Sequence, residues 1–224
     1  AMLMRETRHT PVYYFPRADV KLAALQRTDH NSYCPFKGDA SYWTIAVDGQ
    51  EAENAVWSYE HPFDEKAEIK DYVSFYWGKV DHWYEEDEEI FVHPRDPHKR
   101  IDVVPSQRPV QVMLGSRKIA ETTGAYFLFE TGLPTRYYLP VADVHTDLLE
   151  PSDTQTQCPY KGIASYWSAI IGDQRFEDIV WSYPQPIAEC PKIKDYLCFF
   201  NEHVDEIFVD GVEIPQVKTA WSKR

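Results

Sequence analysis

Short runs of β-branched and aromatic residues, interrupted every few positions by polar turn residues, dominate this chain. Residues 42–47 and 55–59 flank Asp48-Gly49 and predict a β-hairpin; residues 166–171 and 179–183, around Gly172-Asp173, predict another. Residues 108–121 alternate apolar and polar side chains around Gly115-Ser116, the pattern of a third hairpin. Residues 125–129 are apolar throughout and read as a buried strand. Helical signals are confined to two short stretches, residues 143–149 with Asp143 as the cap and residues 191–199. Sixteen prolines and strands this closely spaced favour a mainly β fold, barrel- or tent-like, over α/β layers. Residues 94–108, with prolines at 94, 97 and 105, read as a linker.

A single offset of 124 residues aligns residues 6–81 with residues 130–205 without a gap, and 33 of the 76 positions are identical. The pair Glu6-Thr7 returns as Glu130-Thr131, and Tyr13-Tyr14-x-Pro16-x-Ala18-Asp19-Val20 as Tyr137-Tyr138-x-Pro140-x-Ala142-Asp143-Val144. Cys34-Pro35-Phe36-Lys37-Gly38 and Tyr42-Trp43 return as Cys158-Pro159-Tyr160-Lys161-Gly162 and Tyr166-Trp167. Trp57-Ser58-Tyr59 returns as Trp181-Ser182-Tyr183, and Ile69-Lys70-Asp71-Tyr72 as Ile193-Lys194-Asp195-Tyr196. This is a duplication, and it predicts two tandem related β domains in a pseudo-two-fold arrangement, residues 1–105 and 108–224.

The Cys-Pro-[Phe/Tyr]-Lys-Gly-x-Ala-x-Tyr-Trp and Trp-Ser-Tyr blocks resemble those of the domain of unknown function 427 family, which also carries a nucleotidyltransferase-like label. The resemblance covers nearly the whole chain as two copies. It implies a compact, mostly β domain of tent-like geometry and no settled activity.

The copies differ at their ends. The second is preceded by the hairpin of residues 108–121, which the first lacks. The first instead carries an acidic insertion, His82-Trp83-Tyr84-Glu85-Glu86-Asp87-Glu88. A first copy without the hairpin is expected to expose sheet edges, which the second copy or a partner must cover, self-association through them being one such cover.

Composition narrows the function classes. With 43% apolar and 26% charged residues in 224, the chain reads as a soluble globular protein, and it has no apolar run long enough to span a membrane. Thirty-six acidic against 23 basic residues give a formal charge of −13, which argues against a nucleic-acid polymer or an anionic membrane surface as partner. Four cysteines without paired spacing point to a reducing, cytoplasmic compartment rather than a disulfide framework.

Three kinds of chemistry bear on the candidate residues. Metal-dependent nucleotide transfer needs paired carboxylates such as Asp-x-Asp, which the chain lacks; its Asp87-Glu88-Glu89 lies in the unrepeated insertion. Neither a metal nor a cofactor is expected, since no histidine recurs at the repeat offset. Cys34 and Cys158 each precede a lysine, Lys37 or Lys161, by three positions, and a nearby ammonium favours a thiolate nucleophile. The alternative is a cysteine packed at a turn, and the chain leaves open whether it is an enzyme. The recurring aromatics are either core alone or core plus the wall of a small-molecule pocket. The pocket reading places Lys161 as a charged anchor, Tyr166, Trp181 and Tyr183 as walls, and Tyr138 or Ser182 as a polar contact. The first-copy equivalents are Lys37, Tyr42, Trp57, Tyr59, Tyr14 and Ser58. Trp57 and Trp181 are both expected to be largely buried. The leading reading is a small-molecule-binding protein for a polar or anionic ligand, held by the second copy because its hairpin can close the pocket. The rivals are an enzyme using the Cys-x-x-Lys-Gly turn and a structural pseudo-dimer.

Overall fold

A computed structural model describes residues 1–6, 9–220 and 222; Thr7, half of the repeated Glu-Thr pair, lies outside them. The protein is mainly β, with 52% of residues in strands and 11% in short 3-10 turns. Two compact units divide it, Ala1–Asp96 and Pro97–Arg224.

In the first unit, β1 (Met2–Met4), β2 (Val12–Pro16), β3 (Leu25–Cys34), β4 (Gly38–Val47), β5 (Gln50–Ser58) and β6 (Tyr72–Phe75) form one antiparallel sheet in the order β1-β2-β6-β5-β4-β3. A separate small hairpin, β7 (Trp83–Glu85) and β8 (Glu88–Ile90), is built from the acidic insertion.

The second unit opens with β9 (Ile101–Pro105), followed by β10 (Val110–Leu114), β11 (Arg117–Thr122), β12 (Tyr126–Glu130), β13 (Arg136–Pro140), β14 (Leu149–Cys158), β15 (Gly162–Ile171), β16 (Gln174–Ser182), β17 (Tyr196–Phe199), β18 (Glu206–Val209) and β19 (Val212–Glu213). Its main sheet runs β14-β15-β16-β17-β13-β12-β9, and a four-stranded sheet runs β11-β10-β18-β19. Leaving out β9, the main sheet repeats the strand order of the first unit.

The predicted hairpins form because their turns sit at positions with positive φ, which glycine and aspartate tolerate: Asp48 and Gly49 at 50° and 81°, Gly115 and Ser116 both at 58°. Of the barrel- or tent-like forms expected, the closed barrel is not formed, and each sheet keeps edge strands. Two expectations need correcting. The proline-rich segment is not all linker, because residues 101–105 pair with β12 from Pro105↔Tyr126 to Ile101↔Glu130 and belong to the second compact unit. An edge strand needs only one hydrogen-bonded side, so its terminal proline is no obstacle. Residues 191–199 are not one helix: a single turn, Pro191–Ile193, gives way through Asp195 (φ 61°) to strand β17.

Each unit carries the same irregularity in its central hairpin. The β4–β5 register shifts between Trp43 and Ile45, and the β15–β16 register between Trp167 and Ala169. A side-chain hydroxyl marks each bulge: Thr44 Oγ1 accepts from the Asn54 N–H (3.2 Å) and Ser168 Oγ from the Asp178 N–H (3.1 Å). Bulges bend and twist a strand pair, which gives the open sheets their curvature.

Candidate functional site

The Cys-Pro-x-Lys-Gly block makes the tight link between β3 and β4, and between β14 and β15. The Lys37 N–H donates to the Cys34 carbonyl (3.2 Å), and the Lys161 N–H to that of Cys158 (3.3 Å). The glycine that follows sits at φ 99° or 105°, and a Cβ at Gly162 would meet the Gln185 carbonyl oxygen at 3.1 Å. Only glycine suits such a crowded left-handed position. This turn folds the lysine back over the sheet, where it is buried and pairs with the acid that opens each repeat: Lys37 Nζ with Glu6 at 2.7 Å, Lys161 Nζ with Glu130 at 2.5 Å. Lys99 adds a longer contact to Glu130, 3.4 Å. Burial works against the Lys161 ammonium, but the adjacent Cys158 and Glu130 outweigh it, and its pKa is raised. Each lysine is therefore held charged by an internal carboxylate.

The lysines lie on the sheet face that also carries most of the predicted aromatics. Tyr138, Trp181, Tyr183, Cys190 and Cys198 are buried in one cluster with Cys158 and Tyr166 at its margin; Tyr14, Tyr42 and Tyr59, with Cys34 and Trp57 packed against them, form its counterpart. Trp181 Nε1 donates to Tyr138 Oη (3.2 Å), and the Tyr42 and Tyr166 hydroxyls hydrogen-bond Ser32 and Thr156, both at 2.7 Å. These polar tips are satisfied internally. Burial pushes the Cys190 thiol up to about 11 and the Cys198 thiol up to about 12, so both stay protonated near neutral pH. The expected equivalence of the two tryptophans does not hold: Trp181 is 7% exposed, while Trp57 is half-buried. Arg136 explains the difference, since it lies 5.6 Å from the Trp181 ring centre and is fixed by a two-pronged pair with Glu202 (2.6 and 2.7 Å). The positions at the repeat offset are Val12 and Gly78.

The opposite face holds the second core. The hairpin β10–β11 packs Val110, Val112, Leu114 and Ile119 against Tyr137, Leu139, Val180 and Phe199. Strand alternation thus sends Tyr137 to the hairpin and Tyr138 to the lysine face. The hairpin covers the face away from Lys161 and does not close a pocket there. Ser182, between Trp181 and Tyr183, also points to the hairpin face, so it cannot share a pocket with them.

Ser182 belongs instead to a cleft of about 330 Å³ lined by Val141, Thr146, Leu149, Pro151, Trp167, Ser182, Pro184, Asp195 and Leu197. The residue is 4% exposed, and its hydroxyl makes no hydrogen bond among the described residues. Its counterpart Ser58 donates to the Tyr72 carbonyl (2.6 Å). Trp167 is half-buried in this cleft, whereas Trp43 is only 7% exposed. The sequence reading named Trp167 within the repeat but gave it no site role. The available signal was the contrast between the invariant tryptophan and its unlike neighbours at positions 17 and 141, 27 and 151, and 60 and 184.

Among the described residues, no group of three His, Cys, Asp or Glu side chains converges to hold a metal ion, and no helix is long and apolar enough to cross a membrane. A search of curated proteins finds none that matches the chain. A family described as "Domain of unknown function (DUF427)" matches residues 1–86 and again residues 102–210. The repeated turn, the lysine–glutamate pair and the duplicated sheet are the body of these two segments, and the chain belongs to that family as two tandem copies.

Proposed function

We propose that the protein is a small-molecule-binding protein whose site is the cleft over Trp167 in the second unit, with Ser182 as its polar anchor. The observation that carries this reading is a half-buried indole in an open cleft, with the Ser182 hydroxyl, which has no protein hydrogen-bond partner among the described residues, at its wall. A hydroxyl that faces a cleft rather than a protein partner is free to bond a ligand and fix its orientation. The sequence favours the second copy and offers Tyr138 or Ser182 as the polar contact; the site moves to the other side of the sheet because Lys161, Tyr138 and Trp181 are bonded to protein groups. A thiol enzyme built on Cys34 or Cys158 is less well supported, because the lysines that would activate them, Lys37 and Lys161, are committed to Glu6 and Glu130.

Benzamide, a neutral planar probe with one donor and one acceptor group, tests this by NMR of the tryptophan indole signals. The expected result is a saturable shift confined to Trp167, weakened by Ser182→Ala and abolished by Trp167→Ala. Shifts centred on Trp181, or none, overturn the reading. Mass spectrometry of small molecules released from the purified protein then identifies the natural ligand.

A further inference from the structure

The first unit contains the same niche, filled by its own side chains, and the filling defines a ligand chemistry. Arg17 places its guanidinium carbon 4.8 Å from the Trp43 ring centre, and Arg27 places its own at 5.4 Å. Glu60 ties the two together, 3.4 Å from Arg17 and 2.7 Å from Arg27. Ser41 Oγ accepts from Arg27 (3.0 Å) and donates to Glu60 (2.9 Å). The backbone beneath is the same in both units: Arg27 pairs with Trp43 across β3 and β4, and Pro151 pairs with Trp167 across β14 and β15.

At the repeat offset, Arg17, Arg27 and Glu60 become Val141, Pro151 and Pro184, and all three line the cleft over Trp167. The second unit has therefore kept the ring and the niche while losing two cations and the carboxylate between them. Three polar side chains remain at its wall: the Thr146 and Ser182 hydroxyls, and the exposed carboxylate of Asp195, which makes no hydrogen bond or ion pair among the described residues.

We propose that the cleft over Trp167 takes a planar delocalised cation of the guanidinium or amidinium type, stacked on the indole, balanced by Asp195 and donating an N–H to Ser182. This rests on reading the cleft as a small-molecule site. The face of an indole carries negative electrostatic potential and attracts a cation. A guanidinium is weakly hydrated and flat, so it stacks at little desolvation cost. An anion would meet the ring face, Asp195 and a chain of formal charge −13, all unfavourable. A cation therefore replaces the anionic ligand that the lysines suggested.

Benzamidine and benzamide separate the two claims, because they share shape and differ in charge. In the intact protein, benzamidine should bind about fivefold or more tightly than benzamide, read from the Trp167 indole signal. Asp195→Asn should remove most of that preference while leaving benzamide binding in place; the position is exposed and asparagine tolerates its φ of 61°. The triple variant Val141→Arg, Pro151→Arg, Pro184→Glu copies the first unit's filling and should block both probes, with the remaining indole signals unmoved as a check on folding. Equal binding of the two probes, or an unchanged preference in Asp195→Asn, overturns the cation assignment and leaves the cleft a binding site. Absence of a shift with either probe overturns both readings. Methylguanidine and a Gly-Arg-Gly peptide amide then separate the sources of the cation. Comparable affinities assign a free small molecule, and a gain of about tenfold for the peptide assigns an arginine of a protein chain.

Discussion

Two units built on one sheet have finished its two faces differently. On the lysine face they agree: the same turn, the same buried lysine–glutamate pair and the same tyrosines recur position by position. On the other face they part. The second unit lays a hairpin over Leu139, Val180 and Phe199 and buries them. The first leaves the equivalent Phe15 and Phe75 partly exposed and shields them with Trp83 of the acidic insertion, which stacks on Trp77 with ring centres 4.3 Å apart. Over the repeated tryptophan, the first unit supplies its own cations and the second leaves room. The shared face maintains the architecture, and the divergent face is where the units have become different molecules.

The largest expected effect is a departure within the shared lysine face, at the pair of buried and half-buried indoles. Trp181→Ala should cost about 3–5 kcal/mol in urea unfolding of the second unit, and Trp57→Ala clearly less, because its ring already meets water on one side. Equal losses would mean that the Arg136–Glu202 cover contributes nothing to the burial of Trp181. Next comes the cover of the opposite face. Leu114→Ala, in the fully buried hairpin, should cost about 3 kcal/mol, and Trp83→Ala about 1 kcal/mol, since the insertion shields a face that stays partly wet.

A pH series gives a smaller effect with a definite sign. Burial works against the Glu202 carboxylate, but hydrogen bonds from Arg136 and Thr219 outweigh it and hold its pKa below the ordinary 4.5. A carboxylate with a depressed folded pKa contributes stability above 4.5 that is lost as pH falls through the lowered value. Unfolding midpoints of the second unit between pH 6 and pH 3 should therefore fall more steeply in the wild type than in Glu202→Gln. Glu60 is lowered in the same direction by Arg27, Ser41 and Arg17, against burial, but its side chain is 27% exposed, so Glu60→Gln should flatten the first unit's profile less. Smaller still is the thiol response: iodoacetamide near neutral pH should leave Cys190 and Cys198 unmodified in the folded protein, and rapid labelling of either would contradict the burial that holds them protonated.

Much of the architecture was legible in the residues. Turn pairs such as Asp48-Gly49 and Gly115-Ser116 fix hairpins locally, and a gapless offset carries one sheet order onto the other. What escaped was non-local. Strand β9 has little local signal, because Ile101-Asp102-Val103-Val104 becomes a strand only when β12 offers an unpaired edge. The partner of each buried lysine stands 31 residues away, although Glu6 and Glu130 open the aligned blocks and were visible as identities. The candidate site was half seen: Ser182 was named, but strand alternation separates it from Trp181 and Tyr183. The cleft itself is defined by what position 167 keeps while positions 141, 151 and 184 lose it, and identity counting passes over losses.

The most direct measurement follows the Trp43 and Trp167 indole signals side by side while benzamidine is added to the wild type and to the Arg17→Ala, Arg27→Ala variant. If the first unit fills its own niche and the second awaits a ligand, Trp167 shifts in both proteins and Trp43 shifts only in the variant. A Trp43 shift of equal size in the wild type, or a silent Trp167 in both proteins, would contradict the account.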